Sequence, residues 1–267
     1  YEKSRGVVLP VPFEKTTTWQ RGTAKGPKAI IEASMNMELY DIETDSQVFQ
    51  KGIYTLKPIK AKTPEEAIIE SEKEILKQLD NGKFVVTLGG EHTITLGPIR
   101  ALSQKIEDLS VLHLDAHADR RNEWEGSKYN HACAMARTSE IVSNIISVGI
   151  RSIGREELDF IDDDKIFYAE DIHNNDLWMD EAIKKLSKNV YLTIDLDMFD
   201  ISILPGTGTP EPGGLGWYQT LAFLKKVVTQ KNLVGFDVVE LRPMADEKSS
   251  DFLAAKLIYR LLGYIFS

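Results

Sequence analysis

Cysteine is almost absent from this sequence of 267 residues, which contains only Cys133. A single cysteine can form neither an intramolecular disulfide nor a cysteine-rich zinc site, so we expect a reducing, cytoplasmic compartment. Long apolar runs are also missing, because no stretch approaches the ~20 residues of a membrane span. The most apolar segment, 257–266, is interrupted by Arg260 and is predicted to be a packed helix. Residues 1–6 lack the hydrophobic region of a signal peptide, so we expect no membrane association.

Positive charge is also in short supply. The 32 Lys and Arg residues stand against 41 Asp and Glu residues, and the formal net charge is −9. An acidic surface is unfavourable for binding nucleic acid and compatible with a small cationic substrate. Hydrophobic residues make up 42% of the chain, which is enough for a sizeable core. Because no repeat or linker divides the sequence, we predict a single domain over residues 1–267.

Short apolar runs alternate with helical patterns along the whole chain. Strands are predicted at 5–10, 53–56, 83–88, 110–114, 145–150, 165–168, 190–194 and 233–239. Helices are predicted at 26–35, 63–79, 96–105, 155–162, 177–186, 217–228 and 249–265. This alternation is typical of an α/β fold with a largely parallel sheet. Periodicity alone does not separate a doubly wound sheet from a barrel.

The run 110–114 changes abruptly into acids and a histidine. Asp115, His117 and Asp119 occupy every second position, and alternate side chains of an extended segment point the same way. Hydrophobic burial explains the preceding apolar residues, but it does not explain two carboxylates and an imidazole on one face. Because an uncompensated buried charge is very costly, we expect a cation at this place, with a metal ion as the leading candidate.

Three other predicted strands also end in polar residues. His92 follows a double glycine, Asp195 and Asp197 follow the strand at 190–194, and Glu240 follows the strand at 233–239. Taken singly, His92 could donate to a loop carbonyl, and the two aspartates could cap a helix or a turn. In open parallel sheets, however, ligands bind beyond the carboxyl ends of the strands. We therefore combine six candidate metal ligands: His92, Asp115, His117, Asp119, Asp195 and Asp197.

The ligand types indicate which metal would bind. Four carboxylates and two imidazoles carry a formal charge of −4, which two divalent ions would neutralise. An oxygen-rich set with imidazole and no thiolate suits Mn²⁺ better than structural zinc. Two ions about 3.5–4 Å apart can share a water molecule and lower its pKa, which yields hydroxide for hydrolysis. We therefore predict two Mn²⁺ ions as cofactors.

Proton transfer and substrate binding need further groups. His131 lies in a loop and could be a general acid or proton shuttle, or simply a solvated histidine. Glu240 could pair with a cationic substrate, or form a salt bridge with Arg242. Cys133 is close to His131, but a thiol nucleophile needs no metal-type ligands nearby, so thiol catalysis is disfavoured. Asp237 points away from Glu240 by strand parity and is left out of the metal shell.

Several motifs resemble the signatures of the ureohydrolase (arginase/agmatinase) family and occur in that family's order. The similar segments are Gly89-Gly90-Glu91-His92, residues 115–119, residues 195–197 with 205–215, and Asp237-Val238-Val239-Glu240. The resemblance covers nearly the whole chain. It implies a three-layer α-β-α sandwich with a mostly parallel eight-stranded sheet, a binuclear Mn²⁺ site, and a homotrimer or homohexamer.

The resemblance also implies roles for individual residues. His92, Asp115, Asp119 and either Asp195 or Asp197 would divide between two manganese ions. His131 would be the proton shuttle, and Glu240 the partner of the substrate guanidinium. In the reaction that we expect, a hydroxide bridging the ions attacks the guanidinium carbon, and Asp119 helps to stabilise the tetrahedral intermediate.

The substrate is predicted from the loop at 119–131, which looks like the agmatinase type. Ala132 follows His131 where arginases usually have glycine, and residues 151–154 lack the acid by which arginases read an α-amino group. We therefore expect hydrolysis of agmatine to putrescine and urea. Arg120 and Arg121 could brace carboxylates or recognise an acidic substrate tail. Guanidinobutyrase, arginase and formimidoylglutamase activities, and an inactive metal-binding homologue, remain as alternatives.

Overall fold

One sheet of eight parallel strands forms the centre of the structure, a computed structural model that describes residues 1–173 and 175–267. The strands lie side by side in the order β2-β1-β3-β8-β7-β4-β5-β6, with β2 and β6 at the edges. Every pairing between these strands is parallel. Their bounds are β1 Gly6–Val11, β2 Ile53–Thr55, β3 Phe84–Gly89, β4 Leu109–Leu114, β5 Ile145–Ile150, β6 Ile166–Tyr168, β7 Asn189–Asp195 and β8 Asn232–Val239.

The helices agree with the sequence patterns in most places. Thr63 caps the second helix by accepting a hydrogen bond from the Glu66 N–H at 3.2 Å. The helix predicted at 155–162 is instead a 3₁₀ helix at Arg155–Phe160, because Leu158 and Phe160 are exposed and provide no buried face. The α-helices are α1 Gly26–Ser34, α2 Pro64–Asp80, α3 Leu96–Ser103, α4 Ala134–Ser139, α5 Ala169–Ile172, α6 Leu177–Lys185, α7 Trp217–Gln230 and α8 Ser249–Phe266.

Helices pack on both faces of the sheet because both faces of its strands are apolar. Val8, Val86, Leu112 and Leu192 face one way and pack with α1, α6, α7 and α8. The alternate positions Val7, Leu9, Val85 and Val111 face the other way, toward α2, α3 and α4. Buried on both faces, the strands read as continuous hydrophobic runs. The predicted three-layer α-β-α sandwich is confirmed.

The strand order decides which loops meet. β3, β8, β7 and β4 are neighbours in the middle of the sheet and run in the same direction. Their carboxyl ends therefore lie at one edge, side by side, although the four segments are far apart in sequence. The residues that follow these strands are the polar residues singled out in the sequence. Among the described residues, no helix is both long and apolar enough to cross a membrane.

Two adjacent isoleucines on α2 test this packing. Ile68 is completely buried, so Ile68→Ala should lower the free energy of unfolding by about 2–5 kcal/mol through lost contacts and a residual cavity. Ile69 is 43% exposed, and Ile69→Ala should cost less than about 1 kcal/mol. Urea unfolding followed by circular dichroism measures both values. Equal losses for the two variants would contradict the assignment of the buried face.

Candidate active site

The predicted metal ligands meet at the carboxyl edge of the sheet. His92 begins the turn after β3, Asp115 follows β4, and Asp195 ends β7. All six are at most 5% exposed except His117, whose side chain is 25% exposed. The structure therefore collects in one buried place the complete set His92, Asp115, His117, Asp119, Asp195 and Asp197.

Three carboxylates surround the imidazole of His92. Its Nδ1 lies 3.1 Å from Asp115 Oδ2, 3.1 Å from Asp119 Oδ2 and 3.4 Å from Asp195 Oδ2. Nδ1 is buried and has no well-formed hydrogen bond among the described residues. Such a converging set of lone pairs is electrostatically unfavourable unless a cation lies between them.

A second set adjoins the first and shares Asp115 with it. His117 Nδ1 lies 2.9 Å from Asp197 Oδ2 and 3.5 Å from Asp115 Oδ1. Asp115 thus has one oxygen in each set. The arrangement fits two neighbouring divalent cations bridged by one carboxylate, and its oxygen and imidazole donors suit a hard or borderline ion.

Hydrogen bonds behind His92 define its tautomer. Thr193 donates its hydroxyl proton to Asp237 Oδ1 at 2.7 Å, and His92 Nε2 lies 2.9 Å from the same hydroxyl oxygen. Because that proton is already committed, Nε2 must be the donor to Thr193. The neutral ring then presents an unprotonated Nδ1 to the carboxylates, as a metal ligand must. Both oxygens of Asp237 are occupied, since Tyr191 donates to Oδ2 at 2.6 Å.

His113 belongs to the same cluster, although the sequence pattern predicts it only as part of an apolar strand. It is completely buried, with Nε2 2.8 Å from Asp115 Oδ2 and Nδ1 3.1 Å from Ser147 Oγ. His113 therefore supports Asp115 from within the sheet. The alternation that links residues 115 and 117 also includes position 113, so the sequence pattern could have placed His113 on the same face.

The titration behaviour of the site reflects an excess of negative charge. Burial raises the pKa of Asp195 well above its usual value, and the neighbouring Asp197 and Asp115 raise it further. Burial also raises the pKa of Glu240 well above its usual value. Burial lowers the pKa of His92, but its carboxylate neighbours outweigh this and hold that pKa well above the usual value. A proton or a metal ion at Nδ1 would satisfy the same electrostatic need.

Two site residues adopt an uncommon backbone conformation. Asp119 has φ 52° and Glu240 has φ 64°, in the left-handed region that non-glycine residues rarely occupy. The Met135 and Ala136 N–H groups of α4 both donate to the Asp119 carbonyl at 3.0 Å. The Glu240 N–H donates to the Gly90 carbonyl at 2.8 Å. These bonds hold the chain in the turns that follow β4 and β8.

Glu240 and His131 line the same cavity as the cluster. The cavity has a volume of about 200 Å³ and also contacts His92, His117 and Asp119. The Glu240 carboxylate accepts a hydrogen bond from the His92 N–H at 2.7 Å. Arg242, its expected alternative partner, donates to Gln20 instead. Burial lowers the pKa of His131, which favours a neutral imidazole.

Arg121, Trp124 and Glu157 also line the cavity. Arg121 lies over the Trp124 ring at 4.4 Å from its centroid, 2.7 Å from Glu156 and 3.4 Å from Glu157. The Arg120 N–H donates to Glu157 at 2.8 Å. Of the two uses considered for this arginine pair, the structure shows Arg121 bracing carboxylates.

Comparisons with known proteins agree with this geometry. The model of the arginase family matches residues 4–263. The N(1)-aminopropylagmatine ureohydrolase of Synechocystis sp. is 41% identical, with 99% of this chain and 90% of that protein aligned. The agmatinase of Pyrococcus horikoshii is 33% identical, over 96% of this chain and 90% of that protein. The structure of the agmatine ureohydrolase of Thermoplasma volcanium superposes with a TM-score of 0.91 at 32% identity, covering 99% of this chain and 91% of that one.

The chain belongs to the arginase family, whose members depend on a binuclear metal centre. Within that family it is a ureohydrolase, a hydrolase acting on guanidino compounds. The resemblance found in the sequence is therefore confirmed at the level of family, fold and enzyme class. An arginase structure from Bacillus cereus, 24% identical with a TM-score of 0.81, shares the fold.

The orientation of His92 can be tested through metal affinity. Thr193→Val removes the acceptor of Nε2 and should weaken Mn²⁺ binding by about 10- to 100-fold, because the ring loses the partner that sets its tautomer. Isothermal titration calorimetry measures the dissociation constants. Thr220→Val is the matched control, since Thr220 is equally buried and its hydroxyl has no hydrogen-bond partner within the described residues. Unchanged Mn²⁺ affinity in Thr193→Val would contradict the proposed orientation.

The reactivity of Cys133 is a second test. Its thiol is buried, and burial raises its pKa to about 11. The thiolate is the reactive form, so the native protein should resist alkylation by iodoacetamide at neutral pH and react faster as pH approaches that pKa. Mass spectrometry measures the modified fraction, and urea-unfolded protein is the positive control. Rapid stoichiometric labelling of native protein at neutral pH would return thiol chemistry to consideration.

Proposed function

We propose that the protein hydrolyses the guanidino group of agmatine, releasing putrescine and urea, with two Mn²⁺ ions as cofactors. The observation that carries the proposal is the pair of ligand sets joined through Asp115, with Glu240 at their side. His92, Asp115, Asp119 and Asp195 would hold one ion, and His117, Asp115 and Asp197 would hold the other. When bound, the two ions supply Lewis-acid catalysis and a hydroxide nucleophile at neutral pH.

The surrounding residues bind and orient the guanidinium. The His92 N–H holds one oxygen of Glu240, and the carboxylate can accept charge-assisted hydrogen bonds from the substrate cation. Asp119 lines the same cavity and can accept a hydrogen bond from a substrate amino group as the guanidinium carbon becomes tetrahedral. The ligand sets and Glu240 together create the strongly anionic environment that a guanidinium prefers.

His131 is assigned the proton transfer to the leaving amine. A neutral amine departs far more easily than its anion, so the nitrogen must be protonated as the bond to carbon breaks. Burial lowers the pKa of His131 and keeps the imidazole neutral near pH 7. A neutral ring can accept a proton at one step and release it at the next.

Trp124 and Glu157 line the cavity together with Arg121. Arg121 pairs with Glu157 and lies over the Trp124 ring, so both groups already have a cationic partner. The substrate proposal therefore rests on the motifs rather than on this wall of the cavity. Residues 151–154 lack the acid by which, as the resemblance implies, arginases read an α-amino group, so an α-amino acid loses its specific partner.

N(1)-aminopropylagmatine is a second candidate substrate. Four relatives at 36–41% identity are N(1)-aminopropylagmatine ureohydrolases, whereas the agmatinases compared are at most 33% identical. The longer substrate contains the same guanidino group and carries its extra amine beyond the first. The chemistry at the cluster would be identical, and the longer substrate would fill more of the cavity.

A substrate panel tests the proposal. We expect urea release, in the presence of Mn²⁺, from agmatine or N(1)-aminopropylagmatine and much less from arginine or 4-guanidinobutyrate, because these two carry a carboxylate into an anionic cavity. Colorimetric urea assays give kcat/KM for each compound. A higher value for N(1)-aminopropylagmatine would select the second candidate. Preference for 4-guanidinobutyrate or arginine would overturn the substrate proposal while leaving the reaction class intact.

Glu240→Gln tests whether the Glu240 carboxylate recognises the guanidinium. It keeps the shape of the side chain and removes its charge, so kcat/KM should fall by roughly 30- to 1000-fold, equivalent to about 2–4 kcal/mol. Mn²⁺ affinity, measured separately, should change little.

Assembly into a homotrimer or homohexamer, a cytoplasmic location and a role in putrescine biosynthesis stay predictions.

A further inference from the structure

The hydroxyl of Thr16 lies between a buried carboxylate and the candidate proton shuttle. Its Oγ1 is 2.8 Å from Glu91 Oε1, 3.0 Å from the backbone nitrogen of His131 and 3.2 Å from His131 Nδ1. Thr16 belongs to the polar loop after β1, 75 residues before Glu91 and 115 before His131. Three distant segments therefore converge on one hydroxyl group.

Counting protons determines the direction of each bond. A threonine hydroxyl has one proton and two lone pairs. The proton is donated to Glu91, a carboxylate that also accepts from the Thr93 hydroxyl and from the Lys15 and Thr16 N–H groups. The two lone pairs of Thr16 must then accept from the His131 N–H and from His131 Nδ1. Nδ1 therefore carries a proton, and Nε2 is the free acceptor of the neutral ring.

The backbone keeps this loop against the site. The Gly90 N–H donates to the Val11 carbonyl, and the Glu91 N–H donates to the Phe13 carbonyl. A Cβ on Gly90 would lie 2.0 Å from the Phe13 carbonyl oxygen, so only glycine permits the approach. Glu91 is completely buried and is fixed by its four donors.

We propose that Thr16, held by Glu91, is a positioning residue that fixes the Nδ1–H tautomer of His131 and leaves Nε2 as the nitrogen that works on the substrate. The inference rests on the proposed function, in which His131 transfers a proton. Nε2 receives the proton that the attacking water loses. It then passes this proton to the leaving nitrogen as the C–N bond breaks, so the ring returns to its starting state.

Three variants test the positioning role of Thr16 through enzyme kinetics. Thr16→Val keeps the shape of the side chain but removes the hydroxyl, and should lower kcat by about 10- to 100-fold with little change in KM, because proton transfer is impaired while guanidinium binding is kept. Thr16→Ser retains the hydroxyl and should restore most of kcat. Thr17→Val is the matched control, since the Thr17 hydroxyl donates to Glu14 and, within the described residues, makes no hydrogen bond to His131. Equal losses in Thr16→Val and Thr17→Val would overturn the proposal.

Nitrogen-15 NMR of the histidine rings gives a readout that does not depend on turnover. The protein is labelled at histidine and loaded with diamagnetic Zn²⁺, and His131→Gln identifies the signals of His131 among the five histidines. The proposal predicts that His131 is protonated at Nδ1 in the wild type and in Thr16→Ser, and that the ring shifts toward the Nε2–H tautomer in Thr16→Val. A wild-type His131 ring protonated at Nε2, or an unchanged tautomer in Thr16→Val, would overturn the proposal.

The two arms separate failure of the inference from failure of the function. If the wild type releases urea from no guanidino compound, the proposed function fails, while the NMR arm still decides the tautomer. If the wild type is active and Thr16→Val is unfolded by circular dichroism, Thr16→Ser and the wild-type spectrum carry the test alone.

Discussion

Repulsion among buried carboxylates is the constraint on which this structure depends. Asp115, Asp119, Asp195 and Asp197 share one small volume from which water is largely excluded. Their own neighbours supply three imidazoles, from His92, His113 and His117, and a few N–H groups, which leave the formal charge far from balance. The fold supports this arrangement because four adjacent parallel strands end at one edge and because their hydrophobic faces are anchored by helices on both sides. Stability gained in the core therefore offsets an unfavourable arrangement at the site.

Two histidines that line the cavity, His92 and His131, each have a threonine behind the ring. Behind His92, Thr193 donates to Asp237 and accepts from the ring. Behind His131, Thr16 donates to Glu91 and is left to accept from the ring. Thr193 contacts Nε2 of His92, which leaves Nδ1 as the unprotonated nitrogen of that ring. Thr16 contacts Nδ1 of His131, which leaves Nε2 as the unprotonated nitrogen of the other. In the function that we propose, the first ring would be a metal ligand and the second a proton carrier, and each would be oriented by a threonine that lies between a carboxylate and the imidazole.

The sequence contained most of the local information and little of the long-range information. Alternation within 115–119 and the polar ends of four strands located the buried cluster of histidines and aspartates, because periodicity and strand polarity are local properties. His113 shares that alternation and was overlooked within an apolar run. The partners Thr16 and Thr193 lie about a hundred residues from the histidines that they orient, and no spacing rule connects such positions. The α-helix expected at 155–162 is a 3₁₀ helix at Arg155–Phe160. Leu158 and Phe160 are exposed, so no buried apolar face stabilises an α-helix there.

The central claim is that two divalent ions at one carboxylate cluster make this chain a guanidino hydrolase. Its most direct test follows urea release from the best guanidino substrate while chelator-stripped protein is titrated with Mn²⁺ and bound metal is counted in parallel. The account predicts that activity rises with occupancy and reaches its plateau at two ions per chain. Full activity in protein shown to contain no divalent ion, or saturation of binding and activity at one ion per chain, would contradict it.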